Sequence, residues 1–294
     1  MSGTVLVTGG SGFIGRNLVE EIGERWELLA PPHGELELLH EERVAAYLAA
    51  HAVDVVVHCA VRPGHRHAAD PRGQLERNLR MFANLARCRG RYRRLILVSS
   101  GAVYDERHYR PRLPETAFGE HVPRDEHGFS KYLCAGYAAT RPDMVELRPF
   151  GVFGPYEDYA IRFISNAICK TLLGLPVTLR QDRRFDYTSV RHLALVIERF
   201  FAHDPAYDAY NVSAPETWRL LDLARLVVNL SGKDVPVLVA NEGMGVEYSG
   251  DGRRLRDELP DLAPPPMEQA VAELYDWYAQ RRSSIDRALL LVDP

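Results

Sequence analysis

Thr4–Gly15 reads TVLVTGGSGFIG. The apolar residues Val5, Leu6 and Val7 fit a buried strand, and they run straight into Gly9, Gly12 and Gly15. A helix-compatible apolar run follows through Leu18, Val19 and Ile22. A strand, a tight glycine turn and a helix start make a seat for a pyrophosphate. Glycine lets the backbone approach the phosphates, and the first helical turn offers free N–H groups and partial positive charge. The same glycines could form a plain structural turn; their place between strand and helix favours the phosphate seat. The expected contacts are Gly9, Gly12, Phe13, Ile14, Gly15 and Arg16.

The rest of the chain fits an ordinary globular enzyme. Its 294 residues can bury a large core, and 46% hydrophobic with 26% charged residues is a globular balance. A net charge of −4 offers no basic field for nucleic acid. No apolar run reaches bilayer length and no charged-then-apolar leader precedes Val5, so we expect no membrane partner. Cys59, Cys88, Cys134 and Cys169 are far apart and form no C-x-x-C, which fits reduced thiols and a cytoplasmic protein.

Strand-like and helix-like segments alternate. A second strand, Glu27–Ala30, closes at Pro31-Pro32. A carboxylate at the end of such a strand would bond the ribose hydroxyls of a dinucleotide. Ala30 and Pro31 stand there instead, and the first acid is Glu35. With no acid to repel a 2′-phosphate, NADP(H) is favoured and NAD(H) is the alternative. Arg16 and His33 are the candidate phosphate partners. Glu41–His51 has helical periodicity, Val53–His58 is a β-branched run and Gln74–Cys88 is a helix. Arg94–Ser100, RLILVSS, is a buried strand ending in two serines. Chemistry in such sheets gathers at the carboxyl ends of strands, which points to Ser100. The order predicts an α/β fold with a doubly wound parallel sheet and a smaller C-terminal lobe.

TGGSGFIG, SSGAVY, GFSK and RPFGVFGP together resemble the extended short-chain dehydrogenase/reductase family, with its Rossmann nucleotide domain. VDVVVHCA resembles the family strand that ends in His-x-Ala beside the cofactor, which implies Ala60 as a contact. Asn78 lies where the family steadies the region of its catalytic lysine. In SSGAVY the resemblance implies that Ser100 bonds the substrate's reacting oxygen and that Gly101 borders the substrate. Gly101 and Ala102 replace the acid pair of the family's 4,6-dehydratases, which disfavours a dehydratase. The Val61–Asp70 loop, VRPGHRHAAD, either borders an anionic substrate or is a solvated loop. His65 and His67 lack further ligands at metal-binding spacing, so no metal is expected.

The family's Tyr-x-x-x-Lys appears here as HGFSK, with His127 in place of tyrosine and Lys131 retained. The i, i+4 spacing puts both on one helix face. The resemblance gives Lys131 the nicotinamide ribose and position 127 the proton exchange. Imidazolium is a competent acid, but a neighbouring ammonium disfavours its charged form. Proton donation during reduction is the less hindered direction, so His127, or a water it holds, is the expected acid. Tyr104 and Tyr132 are other phenols to consider, and neither has the lysine spacing.

Met144–Pro155 resembles the family passage into the substrate lobe, with Gly151 replacing the usual asparagine. Arg180 and Arg184, in LRQDRRFDYTSV, and Arg254, in YSGDGRRL, are the expected diphosphate ligands. In the GDP-fucose-synthase-like branch, epimerisation uses a cysteine and a lobe histidine. Gly101 stands at the first position, and Tyr159 and Arg162 stand near the second. The expected division is a dinucleotide domain, 1–155 with 185–213 returning to it, and a substrate lobe, 156–184 with 214–294. The resemblance implies reduction of a keto group on a nucleotide-diphosphate sugar by a homodimer. The alternatives are a sugar-nucleotide epimerase and a catalytically impaired sensor or scaffold.

Overall fold

The computed structural model describes residues 3–63 and 72–292. The first half runs β1 (Thr4–Thr8), α1 (Phe13–Ile22), β2 (Glu27–Leu29), α2 (Glu41–Ala50), β3 (Val55–His58), α3 (Gln74–Arg87), β4 (Arg94–Val98), α4 (Glu126–Ala138) and β5 (Met144–Pro149). The second half continues with β6 (Gly151–Phe153), α5 (Phe163–Leu172), β7 (Val177–Asp182), β8 (Arg184–Phe185), β9 (Tyr187–Ser189), α6 (Val190–Arg199) and β10 (Ala209–Val212). It ends with β11 (Trp218–Arg219), α7 (Leu220–Ser231), β12 (Val237–Met244), α8 (Arg253–Glu258) and α9 (Met267–Ala279). Among the described residues no helix is long and apolar enough to cross a membrane.

Six strands form one parallel sheet in the order β10-β5-β4-β3-β1-β2. Side chains alternate between its faces. Val5, Val7, Val55, Val57, Ile96 and Val98 enter one core, with Leu18 of α1 and Leu193 and Ile197 of α6. Leu6, Val56, Leu95 and Leu97 enter the opposite core, with Val44, Phe82 and Cys134 from α2, α3 and α4. Both faces are covered, which is why these strands are unbroken apolar runs. A separate core lies in the C-terminal half, where α5, α7 and α9 pack Ile164, Ile168, Leu223, Val227, Val271 and Leu274 together. Leu290 closes that core from the tail.

The sheet's order reverses beside β1, whose neighbours are β2 and β3. The crevice outside the carboxyl ends of β1 and β3 is the usual ligand position of such a sheet. The chain touches itself there, since a Cβ on Gly9 would stand 2.8 Å from the Ala60 backbone. Residues 33–39 form an irregular turn between β2 and α2. Helix α5 begins only at Phe163, because the amides of Ile161 and Arg162 both bond the Asp158 carbonyl first.

Candidate active site

The glycine turn is built for a close-approaching ligand. Gly9 has φ +70°, and a Cβ on Gly15 would lie 2.3 Å from the Gly9 carbonyl oxygen. Gly12 caps α1 without a side-chain bond, and no acid sits in the first turn. The leading N–H groups of α1 therefore face the crevice uncapped, as a phosphate requires. Arg16 bonds Glu20 at 3.0 Å and lies 3.6 Å over the ring of Tyr156, which holds φ +69°. His33 pairs with Glu37 at 2.9 Å. Arg43, which the sequence gave no reason to single out, reaches from α2 to the Gly34 carbonyl at 3.2 Å, beside the turn after β2. These groups fit a dinucleotide: a cradle that any Cβ would fill, an uncapped helix start, and no acid at the end of β2.

Below this seat, Thr8 Oγ1 lies 2.9 Å from His58 Nδ1, and the Ala60 amide donates to Thr8 Oγ1 at 3.4 Å. Burial and the Lys131 charge push His58 down to about 3, so it is a neutral packed histidine. Asn78 accepts from the Arg62 amide at 2.7 Å and donates to the Arg62 carbonyl at 3.4 Å. It ties the strand exit after β3 to α3. The Val61–Asp70 loop falls from residue 64 onward outside the described residues, with His65 and His67.

Ser100 ends β4 and leads into a short 3-10 turn, Gly101–Val103. The Ala102 amide donates to Ser100 Oγ at 3.1 Å. Helix α4 starts against this turn. Asp125 caps it by accepting from the Gly128 amide at 2.7 Å. A Cβ on Gly128 would be 2.6 Å from the Ala102 carbonyl oxygen, so only glycine allows this approach. The close contact carries His127 and Lys131 to the same end of the sheet as Ser100. Lys131 Nζ donates to the Val98 carbonyl at 2.9 Å, and burial lowers its pKa.

His127 Nδ1 lies 3.3 Å from Gln74 Nε2. The amide nitrogen can only donate, so Nδ1 accepts and Nε2 carries the ring proton. Burial, then the Lys131 charge, pushes His127 down to about 4. At pH 7 such a group is ~0.1% protonated. His127 is thus held as a neutral N–H donor. Arg162, an exposed residue at the start of α5, adds to this effect.

Gly101 and Gly151 explain two departures from the motifs. A Cβ on Gly101 would stand 2.6 Å from the Phe150 ring and 2.7 Å from the Tyr248 hydroxyl. A Cβ on Gly151 would meet the Asp186 carbonyl at 2.7 Å and the Tyr187 ring at 2.8 Å. Neither position has room for a side chain. Tyr104 bonds Asn211 at 2.8 Å, and Tyr132 lies against Phe118. The phenol beside the Ser100 turn is Tyr248, whose hydroxyl would lie 2.7 Å from a Cβ on Gly101. Sequence reasoning missed it because nothing near Tyr248 in the chain refers to Ser100.

The expected diphosphate arginines are dispersed. Arg180 is exposed on β7, Arg184 on β8 donates to the Thr217 carbonyl at 3.3 Å, and Arg254 lies 3.7 Å from Glu115 and over the Tyr207 ring.

A parallel sheet with its glycine turn at the strand crossover, and a serine, histidine and lysine at the end of β4, define a dinucleotide-binding α/β protein. The chain belongs to the NAD dependent epimerase/dehydratase family, whose model matches residues 5–213. It is 26% identical to a dTDP-4-dehydro-6-deoxy-D-allose reductase of Streptomyces bikiniensis, across 94% of this chain and 96% of the other. A GDP-L-fucose synthase of Azorhizobium caulinodans is 38% identical over 105 residues, 34% of each chain. In fold it is similar to a GDP-mannoheptose C4 reductase from Campylobacter jejuni with NADP bound. That TM-score is 0.81 at 16% identity, over 94% of this chain and 98% of that one.

Proposed function

We propose that the protein is an NAD(P)-dependent oxidoreductase that reduces a keto group on a nucleotide-diphosphate sugar, with NADP(H) the preferred cofactor. The observation that carries this reading is the meeting of Ser100, neutral His127 and buried Lys131 at the end of the sheet that bears the glycine turn. The relatives named as a dTDP-4-dehydro-6-deoxy-D-allose reductase and a GDP-L-fucose synthase support it. A reduced nicotinamide dinucleotide supplies the hydride when bound. Gly9, Gly12, Phe13, Ile14, Gly15 and Arg16 would seat its phosphates, with Ala60 and Asn78 bordering it and Arg43 added near the 2′-position. Lys131 would hold the nicotinamide ribose.

Ser100 anchors the carbonyl oxygen, and His127 donates its Nε2–H to that oxygen as negative charge develops. Gly101 borders the sugar, and Arg180, Arg184 and Arg254 draw the diphosphate toward the lobe formed by 156–184 and 214–294. Residues 1–155 with 185–213 form the nucleotide half. We place the protein in the cytoplasm, on its four unpaired cysteines. We assign a homodimer through α3 and α4, where Leu133 and Tyr137 are exposed.

The test is to mix the protein, NADPH and a panel of GDP- and dTDP-4-keto-6-deoxyhexoses and follow absorbance. Reduction consumes NADPH in proportion to product. Product without net consumption would make the protein an epimerase, and NADPH binding without product from any sugar would make it a sensor.

A further inference from the structure

A phenol at position 127 would carry one hydroxyl, but a neutral imidazole has two nitrogens and one proton between them. His127 can donate to a substrate oxygen only if that proton sits on the nitrogen left free for the substrate. Gln74 decides which nitrogen that is. It is the first residue of α3 and is 5% exposed, and its Nε2 lies 3.3 Å from His127 Nδ1. Helices α3 and α4 start after the ends of β3 and β4 and pack together through Phe82, Leu85, Cys134 and Ala138. Gln74, Asn78 and Phe82 follow at intervals of four on the buried stripe of α3, so that packing sets its first turn against the first turn of α4. The charged groups that face His127 are Lys131 one turn on, Asp125 at the start of α4 and Arg162 at the start of α5. Among the described residues, Gln74 alone bonds the ring.

We propose that Gln74 is a positioning residue of the reaction: its amide N–H holds Nδ1 as the acceptor, which fixes the ring proton on Nε2 and keeps that N–H for the oxygen anchored by Ser100. This deepens the ketoreductase reading and rests on it. A carboxamide suits the task for two reasons. Its nitrogen only donates, so it selects one tautomer. It carries no charge, so it does not favour an imidazolium beside Lys131. A carboxylate at position 74 would do the reverse on both counts. It would accept from an Nδ1–H, leave Nε2 of the neutral ring bare, and favour the doubly protonated ring. The departure from tyrosine at position 127 is therefore matched by a residue more than fifty positions earlier in the chain.

NMR of the full chain labelled with nitrogen-15 at histidine reads the tautomer directly, the His127 signal being assigned by its loss in His127→Phe. The wild type should show Nδ1 bare and Nε2 protonated. Gln74→Leu removes the donor and should show the two tautomers mixed. With NADPH and a 4-keto-6-deoxyhexose nucleotide reduced by the wild type, its kcat should fall ~100-fold while KM and NADPH affinity stay unchanged. Gln74→Glu should make kcat depend on pH where the wild type is level. It should be ~100-fold low at alkaline pH and recover as pH falls and the ring gains its second proton, whereas a packing role would lower kcat alike at every pH. A protonated Nδ1 in the wild-type spectrum overturns the proposal whether or not the variants fold. Wild-type kcat in Gln74→Leu, or a level profile in Gln74→Glu, overturns it and leaves the ketoreductase reading standing. If the wild type reduces no sugar, the ketoreductase reading and the catalytic role of Gln74 fall together.

Discussion

Adding one methyl group at Gly101 would test how closely the reacting oxygen's surroundings are packed. Gly101 is not among the left-handed residues, so Gly101→Ala carries a steric penalty alone. The new Cβ would lie 2.6 and 2.7 Å from two Phe150 ring carbons and 2.7 Å from the Tyr248 hydroxyl, where ordinary contact begins at 3.4 Å. The neighbours must retreat by about 0.7–0.8 Å, the difference between those distances. Phe150 cannot retreat freely, because a Cβ on Gly250 would already be 2.3 Å from the other edge of its ring. The displacement therefore falls on Tyr248 and on the turn that carries Ser100. Overpacking of this kind costs about 1–3 kcal/mol, or roughly 5 °C in Tm for a chain of this size. A shift approaching 1 Å at a reacting group costs on the order of 100-fold in rate. We expect kcat for NADPH-dependent reduction to fall ~100-fold, with NADPH affinity by fluorescence titration unchanged. A variant with wild-type kcat and a Tm within about 1 °C of wild type would refute the packing described here.

His127→Phe removes the N–H donor and should lower kcat ~100-fold, whereas His127→Tyr restores a donor and should keep most activity; full turnover by the Phe variant would exclude a role at the oxygen. Gly15→Ala forces its methyl to 2.3 Å from the Gly9 carbonyl oxygen and should weaken NADPH binding at least ~100-fold, so an unchanged affinity would remove the glycine turn from the cofactor site. His192 is buried with Nδ1 unpartnered and is pushed down to about 4. Below its unfolded value of 6.5 the unfolded chain takes a proton that the folded chain refuses. Stability is thus full above pH 6.5 and lost toward pH 4, by roughly 2 kcal/mol at pH 5, and His192→Phe should flatten the fall in Tm between pH 7 and 5. Glu157 runs the other way: burial raises it to about 8, so its stability is present below 4.5 and lost as pH rises through 8. Glu157→Gln should flatten that decline in Tm.

The sequence revealed what is encoded by neighbours along the chain. β1, β3, β4 and β5 were legible because each is sealed between two apolar layers, so each carries a run or alternation of aliphatic residues. The glycine turn, the end of β4 and the start of α4 were legible because their spacing is local. β12 was not, since it is mostly exposed, holds Asn241, Glu242 and Gly243, and exists by pairing with β7. The bond from the Arg62 amide to Asn78 was not legible, because it is made by the chain's return after β3. Tyr248 was hidden for a similar reason. Its place beside Ser100 comes from one bridge to Phe185, a pairing that no local pattern announces.

The central sheet borrows its last member, β10, from residues 209–212, while its partner β5 ends at Pro149. On the ribosome, β5 emerges well before the segment that will line its flank. Until then its backbone groups stand unpaired at a sheet border, and the inward Glu146–Arg148 pair lacks part of its cover. A fragment ending near residue 155 would retain that raw margin permanently and should self-associate, so the nucleotide half is not a module that can be cut out and expressed alone.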